Sequence, residues 1–192
     1  MVHTGVAPAT QRRRTSWDIA PVTRGDIAEL AQLFLKLHLY NASFDPRFAL
    51  AEDWERHFAA MVESAITGKD HLVLLARDDG RPVGFVLAAV HHDSPIWQHN
   101  EWVEVEALYV EHSWRGAGLA DDLLSCACAW ANDLGLPAVQ LYVTASNTRA
   151  ISFYERQEFR PVQSIMRALL PAEQAERPAP DARLRYQGES RR

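Results

Sequence analysis

Cysteine is scarce in this chain of 192 residues: only Cys126 and Cys128 occur. They sit two apart on a stretch with helical spacing, which makes a mutual disulfide geometrically unfavourable. Such sparing use fits a reducing, cytoplasmic setting. No apolar run approaches the length of a membrane span, and the N-terminus lacks the apolar core of a signal peptide. No membrane association is therefore expected. Excess basic charge is also missing. The formal net charge is −5, so no nucleic-acid partner is expected. Metal-site spacing is absent too. His91, His92, His99 and His112 form no helical i, i+4 pair and have no Cys or acidic residue at zinc-finger spacing. They read as surface loop residues, and no metal is expected. No internal repeat is visible. With 47% hydrophobic and 23% charged residues, the chain has the composition and length of one ordinary globular domain.

The most informative stretch is residues 103–120. Its first half alternates, with Val103, Val105, Tyr109 and Val110 β-branched or aromatic, and reads as a strand. Alternation places Glu104, Glu106 and Leu108 together on one face. A Gly-rich turn follows, Arg115-Gly116-Ala117-Gly118. A helix follows that, with Leu119, Leu123, Cys126, Ala127, Trp130 and Leu134 in phase, and Gly135 and Pro137 to end it. The first N–H groups of a helix have no intrahelical partner and carry partial positive charge. Behind glycines that allow close approach, they suit an anion such as pyrophosphate. Arg115 adds a forked cation. A plain tight turn explains the glycines equally simply. The turn has neither the Gly-Lys-Ser/Thr of a P-loop nor the later glycine and acidic residue of a Rossmann fingerprint.

The remaining elements follow from periodicity and punctuation. Residues 1–16 read as a flexible arm and 17–21 as a short strand. Thr23 and Asp26 form a capping-box pattern before a helix with Ile27, Leu30, Leu33, Phe34, Leu37 and His38 on one face. Residues 40–50 read as a loop. A helix is expected over 51–67, with Trp54, Phe58, Met61, Val62 and Ala65 in phase and Gly68 at its end. Residues 71–77 and 82–90 form a hairpin about Asp79-Gly80. Residues 91–100 read as a polar loop. Residues 138–143 read as a buried strand, Asn147 as the N-cap of a further helix, and 159–170 as mostly strand. Residues 171–192 read as linker and tail, with Ala182 to Tyr186 either a last edge strand or part of that tail. The fold expected is one mixed α/β sheet with helices on both faces, over residues 17–170.

Two motifs carry a resemblance. Arg115-x-x-Gly118-x-Ala120, after a strand ending Leu108-Tyr109-Val110, resembles the acetyl-CoA signature of the GCN5-related N-acetyltransferases. Asn147-x-x-Ala150-x-x-Phe153-Tyr154 resembles a second family pattern at the right distance. Glu158 stands where that family usually has Gly. The resemblance implies a splayed pair of central strands and acetyl-CoA as cosubstrate. It assigns Leu108, Tyr109, Val110 and Asn147 to the pantetheine arm, and Arg115, Gly116, Ala117, Gly118, Leu119 and Ala120 to the pyrophosphate. Tyr154 becomes the acid that protonates the leaving thiolate, against the plain alternative of a packed tyrosine. Glu106 matches the base position of a polyamine-type branch, and Glu104 that of a histone-lysine-type branch. The text around Glu106 is closer to the first. Tyr40, Phe44, Asp45 and Trp54 fall where the family builds a wall of the acceptor pocket, although aromatics there also serve simply to pack helices on the sheet.

The function expected is transfer of acetyl from acetyl-CoA to a primary amine of a small molecule. A protein amine as acceptor, or a non-catalytic acyl-CoA-binding regulator, are the alternatives. A homodimer is expected from the family's habit and the strand-rich C-terminal text.

Overall fold

The computed structural model describes residues 17–168. The chain divides into two compact units, one running to Gln157 and one starting at Glu158.

In the first unit, five strands form one mixed sheet in sequential order: β1 (Asp18–Pro21), β2 (His71–Asp78), β3 (Arg81–His92), β4 (Glu101–Val110) and β5 (Val139–Leu141). β1 to β4 run antiparallel, whereas β5 lies parallel to β4. A parallel neighbour requires a crossover, and helix α3 (Leu119–Asp133) supplies it. Helices α1 (Ile27–Ala42) and α2 (Trp54–Thr67) cover the opposite face, and α4 (Thr148–Arg156) follows β5. No described helix is long and apolar enough to cross a membrane.

The start of α1 forms as the capping pattern predicts. The Asp26 carboxylate accepts from Thr23 N at 2.7 Å and from Thr23 Oγ1 at 2.6 Å. Leu30 and Leu33 then meet Phe58, Val62 and Ala65 of α2 over Val73, Leu75, Phe85, Leu87, Ala107 and Tyr109 of the sheet. On the other face α3 buries Leu119, Leu123, Leu124, Ala127 and Ala131. It packs so closely on β3 that a Cβ at Gly84 would stand 2.9 Å from the Tyr109 carbonyl oxygen and 3.2 Å from Leu119 Cδ2. The β2–β3 hairpin turns through Asp79 and Gly80 with φ of 49° and 76°, the paired positive values that such a two-residue turn requires. Gly135 ends α3 at φ +70°. Leu136 N donates to Ala131 O at 3.0 Å and Gly135 N to Asn132 O at 2.9 Å, a Schellman closure.

Several expectations are corrected. α2 begins at Trp54, three residues later than its periodicity suggests. Its Met61 and, after α3, Leu134 are 41% and 44% exposed, outside the stripes assigned to them. Gly68 ends α2 in an extended conformation, φ −78°, not a left-handed one. β5 is three half-buried residues, not a buried strand of six, because among the described residues it is paired on one side only in the sheet. His91 and His92 belong to β3, not to a loop. They continue the ladder opposite Trp102 and Glu101, and the His91 ring stacks on Trp102 at 4.3 Å. Favourable cross-strand pairs of this kind extend a strand past its apolar run.

In the second unit, residues 159–168 form no strand. Pro161 lacks a ladder donor, and Val162, Ile165 and Met166 are exposed. Glu158 itself adopts φ +66°. It thus takes the left-handed conformation of the glycine it replaces in the family pattern. Residues 1–16 and 169–192, with the reading of an edge strand at Ala182 to Tyr186, lie outside the described residues.

Candidate active site

The site begins with a fault in β4. Leu87 pairs with Ala107, but the next residue, Ala88, pairs with Val105. Glu106 is therefore an extra residue, a β-bulge. Bulges bend a strand and re-aim its side chains. Cross-strand partners share a face, so Ala107 and Tyr109 lie with Leu87 and Phe85 on the α1/α2 side. Beyond the bulge, Glu104 lies on that same side, opposite Ala89, which in turn stands opposite His71. Leu108 pairs with Val86 on the α3 side. Strict alternation would have kept Glu104 and Leu108 together, and the bulge separates them.

The bulge coincides with a fork. β5 pairs with β4 only at Val103, Glu104 and Val105. From Glu106 to Val110, β4 continues with no strand among the described residues on its β5 side, as the expected splay requires. The end of β4 leads through His112–Trp114, a short 3-10 turn, to the glycines. Gly116 has φ +79° and Gly118, the N-cap of α3, has φ +105°. A Cβ at either would meet nothing within 4 Å. The glycines thus serve backbone geometry, and the space before the α3 N–H groups is open. Such a donor-lined cradle, continuous with an unpaired strand edge, fits the pyrophosphate and pantetheine of a CoA ester.

Arg115 is partly committed elsewhere. Its Nε donates to Val110 O at 2.8 Å, and its guanidinium lies 5.6 Å from the Tyr40 ring and 5.7 Å from the Tyr109 ring. Leu119 is fully buried, which closes its side chain to a ligand.

Asn147 caps α4 as expected, with Oδ1 accepting from Ala150 N at 3.2 Å, and it is buried. One turn of α4 beyond Tyr154, Gln157 Nε2 donates to Asp121 Oδ1 at 2.6 Å. Residues three apart share a helix face, so Tyr154 lies on the side of α4 that meets the first turn of α3. Burial pushes its phenol up to about 12, so the hydroxyl keeps its proton at any working pH.

On the α1/α2 side of the fork, Glu104 and Glu106 gather with residues that sequence reasoning passed over. The Glu106 carboxyl holds its proton more tightly than an ordinary glutamate. Partial desolvation is the main cause, opposed by His71 and reinforced by the charge of Glu104. Glu104 Oε2 is buried without a hydrogen-bond donor, 3.9 Å from His91 Nδ1. Trp102 Nε1 is likewise buried without an acceptor. His71 and His91 could not be found from spacing, because a three-strand register brings them here. Among the described residues, no group of three or more His, Cys, Asp or Glu could hold a metal ion.

Of the four candidates for the acceptor-pocket wall, Trp54 packs against Phe34 and Phe58 at 5.9 and 6.0 Å, the helix-packing role. Tyr40 and Phe44 contact each other edge-on at 4.9 Å. Asp45 accepts from Arg47 N at 3.1 Å and caps a 3-10 turn.

The acetyltransferase (GNAT) family model matches residues 33–159. An uncharacterized N-acetyltransferase of Methanocaldococcus jannaschii is 28% identical over 151 residues, 78% of this chain and 63% of that protein. The mycothiol acetyltransferase of Thermomonospora curvata is 41% identical over 83 residues, 43% of this chain and 26% of that protein. The chain thus spans less than two thirds of these relatives. Among solved structures, a mutant of the BH1408 protein from Bacillus halodurans superposes with TM-score 0.72 at 20% identity, over 80% of this chain and 99% of that one. An aminoglycoside N-acetyltransferase, AAC(6')-Iy, in complex with CoA gives TM-score 0.65 at 17% identity, over 84% and 99%. The forked sheet, the glycine turn at the start of α3 and a family match covering well over half of the chain lead to one assignment: this protein belongs to the GNAT acetyltransferase family.

Proposed function

We propose that this protein transfers the acetyl group of acetyl-CoA to a primary amine of a small molecule, by direct attack within a ternary complex. The observation that carries the reading is the fork. Its open β4 edge leads to an anion cradle on one side, and its apex holds two carboxylates on the other.

The chain's own groups then divide the work. The N–H groups of residues 116–120 hold the pyrophosphate, assisted by the helix dipole. The backbone of Leu108, Tyr109 and Val110 pairs with the pantetheine arm, and Asn147 closes on it. Glu106 takes the proton of the acceptor ammonium, directly or through water. A carboxylate whose proton affinity is raised is the better base for that task. Glu104 beside it strengthens this effect and attracts the cation. Tyr154 gives its phenolic proton to the departing thiolate. A thiolate expelled into a desolvated place has its own proton affinity raised by the same cause, which favours the transfer. The amine–acetyl bond forms as the carbon–sulfur bond breaks; of the two protons the ammonium nitrogen loses, Glu106 takes the first, and the second restores the Tyr154 phenol after its own proton has gone to sulfur.

A small acceptor is supported by the character of the fork's acceptor side, where Glu104, Glu106, His71 and His91 converge over the small Ala89 floor. The names of a similar mycothiol acetyltransferase and a similar aminoglycoside N-acetyltransferase point the same way. The reading places the enzyme in the cytoplasm as a homodimer, with the short β5 and exposed Tyr142 and Val143 beside it as the surface to cover. A panel of small amines and lysine peptides, incubated with acetyl-CoA and analysed by mass spectrometry, tests the assignment. Acetylation of small amines supports it; acetylation confined to peptides replaces it with a protein acetyltransferase.

A further inference from the structure

We infer that Trp102 and Glu104 together bind a hydroxyl of the acceptor, so that the preferred amines are amino alcohols with the hydroxyl two or three carbons from the nitrogen. The inference rests on the acetyl-transfer reading above and deepens it. It gives the acceptor a second functional group and gives Trp102 a specificity-determining role.

Two orphaned atoms of opposite kind carry it. Trp102 Nε1, a donor, is buried without an acceptor, and Glu104 Oε2, an acceptor, is buried without a donor. Their residues stand two apart on β4, opposite His91 and Ala89, where the ladder is regular. Residues two apart on a regular strand share a face, so both lie on the α1/α2 side, just before the Glu106 bulge. Opposite needs at neighbouring positions would cancel if the two atoms met, yet neither satisfies the other. The surrounding groups do not serve them either. The His91 ring stacks on Trp102 with an interplanar angle of 21°. An indole N–H points in the plane of its own ring, so a ring stacked above it cannot accept from it. His91 Nδ1 stands 3.9 Å from Glu104 Oε2, beyond hydrogen-bond reach. Gln140, in register with Glu104 on β5, supplies no donor to that oxygen.

Burying a donor or an acceptor without a partner is costly, and native folds keep few such groups. The chemistry of the pair selects what completes it. A substrate ammonium has donors and no acceptor, so it answers Glu104 but not Trp102. An ether or carbonyl oxygen answers Trp102 but not Glu104. A hydroxyl answers both, donating its O–H to Glu104 Oε2 and accepting from Trp102 Nε1 on a lone pair. The reacting ammonium is meanwhile held by Glu106, the next carboxyl along the strand. The hydroxyl therefore belongs a short way from the nitrogen on the same small molecule. An amine without it leaves both buried atoms unanswered, and the difference appears as selectivity.

Amines that differ by one hydroxyl test this: 2-aminoethanol against propylamine, and 3-aminopropan-1-ol against butylamine, with thiol release from acetyl-CoA as the readout. The wild type should favour the amino alcohol of at least one pair by about 100-fold or more in kcat/KM, a modest value for a site built to hydrogen-bond a hydroxyl. The methyl ether of that amino alcohol accepts but cannot donate, and should lose most of the preference. Trp102→Phe keeps an aromatic ring against His91 and removes the N–H. It should lower the ratio by about tenfold or more, the scale of one hydrogen bond to a buried partner. Comparing ratios between the two proteins cancels the unequal basicities of the amines, and a CoA-induced rise in melting temperature shows that the variant is folded. Ratios near one in both wild-type pairs overturn the inference. So does a methyl ether used as well as its alcohol, or a preference undiminished in folded Trp102→Phe. If CoA raises the melting temperature but none of these amines releases thiol, the small-amine transferase reading itself has failed and the hydroxyl site falls with it.

Discussion

Glu104 and Leu108 lie four residues apart on one strand, yet they face opposite sides of the sheet. The bulge at Glu106 divides them, since Leu108 stands opposite Val86 and Glu104 opposite Ala89. The consequence is functional. The fork's cofactor edge and its carboxylates are presented to two sides of a single strand, at the point where β5 departs. An amine approaching from the α1/α2 side can therefore meet a thioester lying along the fork without competing for the same space.

Glu106→Gln separates the base from the rest. The amine is mostly charged at low pH and needs deprotonation there, whereas at high pH it is already neutral. The variant should lose most kcat/KM in the pH range above the raised Glu106 pKa and below that of the amine, where the carboxylate is ionised and the amine still charged, and approach the wild type as pH rises further. Stability should respond with the opposite emphasis. Because the folded protein raises the Glu106 pKa, the protonated side chain is the favoured one. Its contribution is fully present below the ordinary carboxylate pKa and is lost as pH rises through the raised value. The wild type should thus gain stability relative to Glu106→Gln on acidification, so that the two melts converge at low pH and separate in favour of the variant as the carboxyl ionises. A pH–rate profile parallel to that of the wild type moves the role to Glu104 or to solvent.

Tyr154→Phe keeps the ring and removes the hydroxyl. Acetyl-CoA affinity, followed by calorimetry, should change little. Turnover should fall by about 10²–10⁴-fold, the usual size of a lost general acid. Undiminished turnover removes the acid assignment.

Gly118→Asp attacks the cradle twice. At φ +105° any side chain is strained, and a carboxylate there sits where an anion is to bind. The wild type should melt at higher temperature with CoA, since a ligand of the native state stabilises it by mass action. The variant should show no such shift.

Glu158 occupies a left-handed conformation, φ +66°, that costs an ordinary residue roughly 1–2 kcal/mol. Glu158→Gly should recover part of this, on the order of 1 kcal/mol, as a higher denaturant midpoint with unchanged slope. A lower midpoint would mean that the Glu158 side chain contributes more than its backbone costs.

Much of this was legible in the sequence, for local reasons. The Asp79-Gly80 hairpin, the Thr23–Asp26 cap, the Gly135 stop and the glycine turn before α3 are all written within a few residues. The bulge was not. Val103, Val105, Ala107 and Tyr109 alternate without interruption, and the sheet is covered on both faces. An apolar residue at each odd position is therefore satisfied whichever way it points, so periodicity cannot reveal the switch. His71 and His91 were illegible for a related reason, since only the register of three strands brings them beside Glu104 and Glu106. Residues 159–170 read as mostly strand because β-rich text states a preference, whereas a strand also needs a partner edge, and none forms over the described 159–168.

The most direct test of the account is thiol release from acetyl-CoA, measured with and without amines, alongside a CoA melting shift on the same sample. The account predicts a CoA-induced shift and thiol release that rises with amine concentration, with one acetylated amine formed per thiol. A clear CoA shift with thiol release no faster than in the absence of protein, across the whole amine panel, would contradict it and leave a CoA-binding protein without transferase chemistry.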